Sequence, residues 1–91
     1  MFAMPKKADI KKATLRPDDE ETYTLTLTTP LLDEGEFNRI INEDIVICLS
    51  NAGGSLIDSS WETKSIKVKM QDIRSFQVCL SRRYYFIERR L

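Results

Sequence analysis

Two hydrophobic patterns in the first half of the chain constrain its fold most strongly. Tyr23, Leu25 and Leu27 alternate with threonines, which is the period-two pattern of a half-buried strand. Pro30 ends this strand, because proline has no N–H to donate to a ladder. Ile45 to Leu49 is apolar at every position, as in a strand covered on both faces. The two patterns predict two strands of a β-rich domain.

The connection between these strands predicts a short turn or helix. Its apolar residues have roughly helical spacing: Leu32, Phe37, Ile40 and Ile41. Asp33 and Glu36 have the spacing of a carboxylate variant of the capping box, whereas Gly35 weakens a helix. An extended alternative, with Phe37 and Ile40 in a short edge strand, stays open.

The second half of the chain contains a third strand pattern and one ambiguous segment. In residues 62 to 71, Ile66, Val68 and Met70 alternate with polar residues and predict a strand. Further on, apolar residues spaced by three and four fit an amphipathic helix: Ile73, Phe76, Leu80, Tyr84, Ile87 and Leu91. We prefer two strands here, around Phe76 to Leu80 and Tyr84 to Ile87, because the segment is rich in aromatic and β-branched residues.

These patterns predict an all-β fold, a small antiparallel β-sandwich of about seven short strands, in one domain over residues 21–91. Residues 1–20 show no sustained strand or helix pattern and predict a flexible basic N-terminal arm. The alternative fold is α+β with a C-terminal helix. The predicted core is the following set: Leu25, Leu27, Ile45, Ile47, Leu49, Ile66, Val68 and Phe76.

Tyr23 to Leu49 resembles the opening half of the α-crystallin/CS superfamily. In that family a strand that begins with tyrosine ends seven residues later at proline, as Tyr23 and Pro30 do here. An acidic connection with one buried apolar residue, here Phe37, then leads to a buried strand. The resemblance implies a β-sandwich that works as a co-chaperone or complex-assembly adaptor. Leu31 stands where small heat-shock proteins have glycine, so a CS-type adaptor is the closer comparison.

The start of the chain and the cysteine content predict a cytoplasmic or nuclear protein that is not secreted. The start of the chain has no apolar segment of the kind found in secretory signals, and no run is long enough to span a membrane. Cys48 and Cys79 lie within apolar strand patterns, which predicts buried free thiols in a reducing compartment.

Charge is segregated into two basic terminal segments and an acidic middle segment, a pattern that can steer a partner to one face.

The composition gives little support to catalysis. The chain has no histidine, the commonest general base and metal ligand, and its two cysteines are too few for a zinc site. The glycine pair Gly53–Gly54 lacks the Lys-Ser or Lys-Thr of a phosphate-binding loop and predicts a turn. We therefore expect a binding protein that is not an enzyme and has no cofactor or metal.

Two binding hypotheses follow. The first is a protein-interaction module in which an extended segment of another protein adds to a strand edge near Lys64–Met70 or Tyr84–Glu88. The second is a nucleic-acid module that uses a basic face, with Arg89 and Arg90 included and tyrosines for base stacking. Neither hypothesis involves a membrane. The candidate partner-binding residues are Lys64, Lys67, Lys69, Arg82, Arg83, Tyr84 and Tyr85.

Overall fold

The computed structural model describes residues 10–30 and 33–90 and shows an α+β fold, so the all-β sandwich prediction is wrong. The chain forms one five-stranded mixed sheet with helices. The elements are β1 (Lys11–Pro17), β2 (Thr22–Leu27), α1 (Glu34–Ile40), a π-helical turn (Ile41–Ile45), α2 (Val46–Asn51), β3 (Ser55–Ser60), β4 (Ser65–Lys69), α3 (Ile73–Arg82) and β5 (Tyr85–Arg89).

The sheet has the order β3-β4-β2-β1-β5, in which β5 runs parallel to β1 and the other neighbours are antiparallel. One helical crossover joins β2 to β3, and the other joins β4 to β5. The crossovers from β2 and from β4 start on antiparallel strands and lead to opposite edges of the sheet. Two such crossovers of the same hand place both helical segments over the same face of the sheet. Among residues 10–30 and 33–90, no helix covers the other face of the sheet.

Side-chain alternation along the strands agrees with this arrangement. Residues on the helical side are buried, and in the central strands they are Ala13, Leu15, Leu25, Leu27, Ile66 and Val68. The opposite face carries threonines and basic residues, and registers such as Thr24 opposite Lys67 align these side chains across neighbouring strands. We call this surface the open sheet face.

The predicted strand from Ile45 to Leu49 is helical, so that prediction is wrong. α1, the π-helical turn and α2 are contiguous and form one composite helix that begins at Glu34. Its N-cap is Asp33, whose Oδ1 accepts the Glu36 N–H at 2.8 Å. This bond confirms the N-cap role of Asp33, which is one half of the predicted capping box, while Leu32 lies outside the described residues. Ile45 is fully buried and Ile47 is 42% exposed, which a helix explains by turning them to different sides.

The two strands preferred between Phe76 and Ile87 are in fact one helix and one strand. α3 begins at Ile73 after the N-cap residue Asp72, whose carboxylate accepts the Ser75 N–H at 3.1 Å. The helix buries Phe76 and Leu80 against the sheet. The three-and-four spacing indicated this helix correctly, but it ends at Arg82 and is followed by β5. The fold is therefore close to the alternative prediction, an α+β fold with a helix late in the chain.

The N-terminal segment contains a central strand. β1 lies between β2 and β5 and buries Ala13 and Leu15, so a flexible arm over residues 11–17 is a wrong prediction. Its sequence signal is weak because only these small and medium side chains interrupt a run of charged and polar residues. Residues 1–9 of the predicted arm lie outside the described residues.

Cys48 and Cys79 form a disulfide between α2 and α3, with their Cα atoms 5.5 Å apart, so the prediction of free thiols is wrong. The interpretation failed because it placed both cysteines in strands, whereas they lie on neighbouring helices.

The predicted core residues are confirmed as buried, with the exception of Ile47. Within residues 10–30 and 33–90, no helix is both long and apolar enough to cross a bilayer.

Candidate partner-binding edge

β5 is an edge strand with one unpaired side. The carbonyl of Tyr84 accepts the Lys11 N–H at 3.0 Å, and the Arg90 N–H donates to the Leu15 carbonyl at 2.8 Å, so the backbone groups of even-numbered residues point toward β1. Because backbone groups alternate sides along a strand, those of the odd-numbered residues point away from the sheet. Those residues are Tyr85, Ile87 and Arg89. In the described part of the chain, β5 pairs with β1 alone.

A polar network holds the start of this strand in place. The Tyr85 hydroxyl donates to Asp44 at 2.6 Å, and Arg83 donates to the same carboxylate at 2.9 Å. Asp44 lies in the π-helical turn, so the network joins the composite helix to β5. Burial raises the pKa of the Tyr85 phenol well above its usual value, and the hydrogen bond to Asp44 raises it further. We infer that the edge is rigid at its beginning.

Aromatic side chains beside this edge are exposed to solvent. Tyr84 is 71% exposed and Phe86 is 61% exposed, and Phe86 lies on the open sheet face. Tyr84 has φ of 69°, in the left-handed region that usually takes glycine after a helix. An unfavourable backbone conformation that presents a large, exposed aromatic ring is a feature that points to function.

A groove of about 380 Å³ runs between α3 and β5. It is lined by Arg74, Gln77, Val78, Ser81, Tyr85, Phe86 and Ile87. This lining includes an arginine, an exposed valine and an exposed phenylalanine, and it includes no acidic residue. An added strand beside β5 would direct alternate side chains toward this groove.

The other edge of the sheet is less suited to pairing. β3 contains a register shift between Leu56 and Asp58, and such a bulge bends a strand and interrupts its ladder. Bulges and charged side chains are the features by which edge strands avoid pairing with other chains. β5 has a continuous register with β1 from Tyr85 to Arg89, so it is the better pairing edge.

The seven candidate residues from the sequence fall into three separate places. Arg82, Arg83, Tyr84 and Tyr85 follow one another at the end of α3 and the start of β5. Lys67 and Lys69 lie on β4, with exposed side chains on the open sheet face.

Lys64 lies in the turn between β3 and β4, apart from both other groups. Its ammonium lies 3.7 Å from the centre of the Trp61 ring and donates to the Trp61 carbonyl at 2.9 Å. The structure therefore does not join the basic candidates into one face. Tyr85 is 4% exposed and uses its hydroxyl within the protein, so of the two tyrosines only Tyr84 presents its ring to solvent.

Sequence reasoning did not identify Arg74, Val78 and Phe86, the residues that give the groove its character. The helical spacing of residues 73–82 was the sequence signal for these side chains. It places Arg74 and Val78 four positions apart, on a different side of the helix from Phe76 and Leu80.

In the described ranges, no cluster of three or more His, Cys, Asp or Glu side chains could hold a metal ion.

Comparisons with protein-family models, curated proteins and solved structures found no significant match to this chain.

Proposed function

We propose that the protein is a non-catalytic protein-interaction module whose β5 edge pairs with an extended segment of a partner protein. The observation that carries this proposal is the outward-facing backbone of Tyr85, Ile87 and Arg89 beside exposed aromatic rings. Main-chain hydrogen bonds to such an edge supply affinity, and neighbouring side-chain sites supply specificity.

The groove defines the chemistry of the partner segment. Every second residue of an added strand would face α3 and contact Val78 and Arg74. The residues between them would face the open sheet face and lie beside Phe86. Arg74 interacts electrostatically with Asp72 but has no carboxylate within 4 Å among the described residues, so an acidic side chain in the partner would complement it. We therefore expect an extended segment with apolar residues and at least one carboxylate.

Of the two pairing positions expected from the sequence, the proposal keeps only the second. β4, which contains most of Lys64–Met70, is paired with β3 on one side and β2 on the other, so its backbone is not free for a partner. Tyr84–Glu88 includes most of β5 and stays in the proposal. A co-chaperone or complex-assembly role of the CS type is a further prediction, although the sandwich that the resemblance implied is absent.

Peptide display against the folded protein, followed by amide hydrogen exchange with the selected peptides, tests the proposal. Tyr85, Ile87 and Arg89 have outward N–H groups, and we expect bound peptide to slow exchange at these residues. Phe86 and Glu88 serve as internal controls, because their N–H groups point toward β1 and should be protected already. Protection confined to β3, or no selected peptide at all, would contradict the proposal.

A charge-reversal pair tests the acidic character of the partner. Arg74→Glu should weaken the selected peptides by roughly tenfold or more, since an attractive pair becomes repulsive. Arg16→Glu makes the same change on the open sheet face and should leave affinity within about twofold. Equal losses from both variants would indicate a general charge effect with no specific role for the groove.

Nucleic-acid binding is the second candidate function. It draws on the exposed basic side chains of the open sheet face, Lys67 and Lys69 on β4 and Arg16 on β1, next to threonine hydroxyls. Asp58 lies opposite Lys67 and offsets part of this charge, which favours the protein partner. Affinity for single-stranded oligonucleotides that falls steeply with salt and is lost in Lys67→Gln would favour the nucleic-acid function.

The cytoplasmic or nuclear location is also a prediction. Disulfides are rare in those compartments, so the Cys48–Cys79 disulfide of the structure argues against this location unless the pair is reduced in the cell. Rapid alkylation of thiols before cell lysis, followed by mass spectrometry of the pair, measures this state. A fully oxidised pair would indicate an oxidising compartment.

A further inference from the structure

The disulfide between the helices is accessible from one side only. Cys48 is fully buried, whereas Cys79 is half-buried and lines an open cleft of about 650 Å³. The cleft therefore gives a reagent in solvent an approach to Cys79, whereas Cys48 is enclosed by the core. This asymmetry separates the pair into an accessible cysteine and a buried one.

The cleft is strongly basic. Its lining residues are Asn51, Arg74, Ser75, Val78, Cys79, Arg82 and Arg83, which include three arginines and no acid. Arg82 and Arg83 follow Cys79 by three and four positions, the spacing of neighbours on a helical surface. Arg83 is paired with Asp44, whereas Arg82 has no carboxylate within 4 Å in the described part of the chain.

A further contact reaches the sulfur itself. The Asn51 side-chain N–H donates to the Cys79 sulfur at 3.5 Å. Cys79 lies in the last turn of α3, where the helix dipole disfavours a thiolate. The Asn51 donor and the Arg82 charge act in the opposite direction, since hydrogen bonds and nearby cations favour the thiolate.

We propose that Cys79 is a site of thiol–disulfide exchange with small acidic disulfides of the glutathione type, and that Cys48 is the resolving thiol. The cleft has the volume of a small-ligand site, and its arginines match the carboxylates of such a molecule. This inference stands on the helix side of the molecule and does not depend on the function proposed for β5.

The exchange proceeds in two balanced steps. The Cys79 thiolate attacks one sulfur of the small disulfide, whose S–S bond breaks, and the released small thiolate takes up a proton. Cys48, as it loses its proton, then attacks the Cys79 sulfur and expels the second small thiol, which forms the Cys48–Cys79 bond. In total, two protein thiols are oxidised and one small disulfide is reduced to two thiols.

Cysteine variants test the order of these steps. The reduced Cys48→Ser variant should accumulate a mixed disulfide at Cys79 when treated with glutathione disulfide, because the resolving thiol is missing. The reduced Cys79→Ser variant should form no adduct while folded, because Cys48 is buried. Circular dichroism verifies folding, and rapid acid quenching of the wild-type reaction should trap the same Cys79 adduct if a variant does not fold. An adduct on Cys48 in folded protein, or none on Cys79 in either experiment, would overturn the proposal.

An arginine pair tests the charge preference. Arg82→Gln should slow the reaction with glutathione disulfide by about threefold to tenfold, since it removes a cation that attracts the anionic reagent. The same variant should not slow the reaction with cystamine, a cationic disulfide. Arg39→Gln, at an exposed position on α1 that does not line the cleft, should leave both rates unchanged. If Arg82→Gln slowed the reactions with glutathione disulfide and with cystamine equally, the proposal would also be overturned.

Discussion

At the residue scale, Ile45 and Ile47 are two positions apart in the composite helix and lie in opposite environments. Ile45 is 0% exposed and Ile47 is 42% exposed. Ile45→Ala should lower the free energy of unfolding by about 2 to 5 kcal/mol, because it leaves a cavity in the core. Ile47→Ala should lower it by less than about 1 kcal/mol. Urea denaturation of both variants measures the difference, and equal losses would contradict a helix at these positions.

Tyr85 and Tyr84 are adjacent tyrosines with different roles, which makes them a matched pair. Tyr85→Phe removes the hydrogen bond to Asp44 and should lower the free energy of unfolding by about 1 to 3 kcal/mol. Tyr84→Phe, at an exposed ring, should change it by less than about 0.5 kcal/mol. Thermal or urea unfolding at neutral pH measures both values, and a larger loss in Tyr84→Phe would contradict the assignment.

The same tyrosine predicts a dependence of stability on high pH. Burial and the hydrogen bond to Asp44 raise the pKa of Tyr85 in the folded state, so the unfolded chain releases this proton at a lower pH than the native protein. The stability contribution is therefore complete below a pH of about 10 and declines as pH rises above that value. Urea midpoints between neutral and alkaline pH should fall less steeply in Tyr85→Phe than in the parent. Parallel curves would contradict the prediction.

At the element scale, β2 and β4 lie within segments that the sequence predicted as strands, and β5 overlaps the predicted strand Tyr84 to Ile87 but extends to Arg89. The composite helix was harder to predict. Val46 and Ile47 are apolar and solvent-exposed, so the run from Ile45 to Leu49 has the appearance of a buried strand. The decisive signal was the spacing of Phe37, Ile40, Ile41, Ile45, Cys48 and Leu49, which continues a helical face through the run.

The candidate site was predictable in part for a related reason. An exposed strand edge at Tyr84–Glu88 was one of two expected positions, and the chain does place an edge strand there. The choice between the two positions depends on strand order, which is set by contacts between distant segments such as the parallel pairing of β1 with β5. The groove beside β5 depends on α3 being a helix. The periodicity of single segments indicates the helix, through the three-and-four spacing of residues 73–82, but it does not contain the strand order.

The disulfide gives a prediction at the same scale, since it joins α2 to α3 over a sequence separation of 31 residues. Closing a loop of this length restricts the unfolded chain and should stabilise the protein by about 3 to 4 kcal/mol. Urea denaturation with and without a reductant measures the contribution. The Cys48→Ser/Cys79→Ser variant is the control and should not respond to the reductant. Equal stability of the oxidised and reduced parent would contradict the prediction.

At the scale of the whole molecule, the sheet depends on β1 for its continuity. β1 is bonded to β2 on one side and β5 on the other, and Ala13 and Leu15 complete the buried face between them. Without this strand, β5 and its edge would lose their connection to the sheet, and α3 would cover an open gap. The proposed binding edge therefore depends on a segment at the opposite end of the chain.

This dependence predicts that residues 21–91 do not fold alone, although the sequence patterns placed the whole domain in that range. A fragment of residues 21–91 keeps β2, both helical segments, β3, β4 and β5, but it leaves Leu25 and Leu27 without the neighbouring strand that covers them in the sheet. Loss of a central strand removes two ladders and part of a small core, and native domains are stable by only roughly 5 to 15 kcal/mol. We expect poor dispersion in the amide NMR spectrum of the fragment.

A synthetic peptide of residues 10–20 should restore dispersion when added in excess, and a peptide with Leu15→Asp should fail to do so. A well-dispersed spectrum from the fragment alone would show that β1 is dispensable.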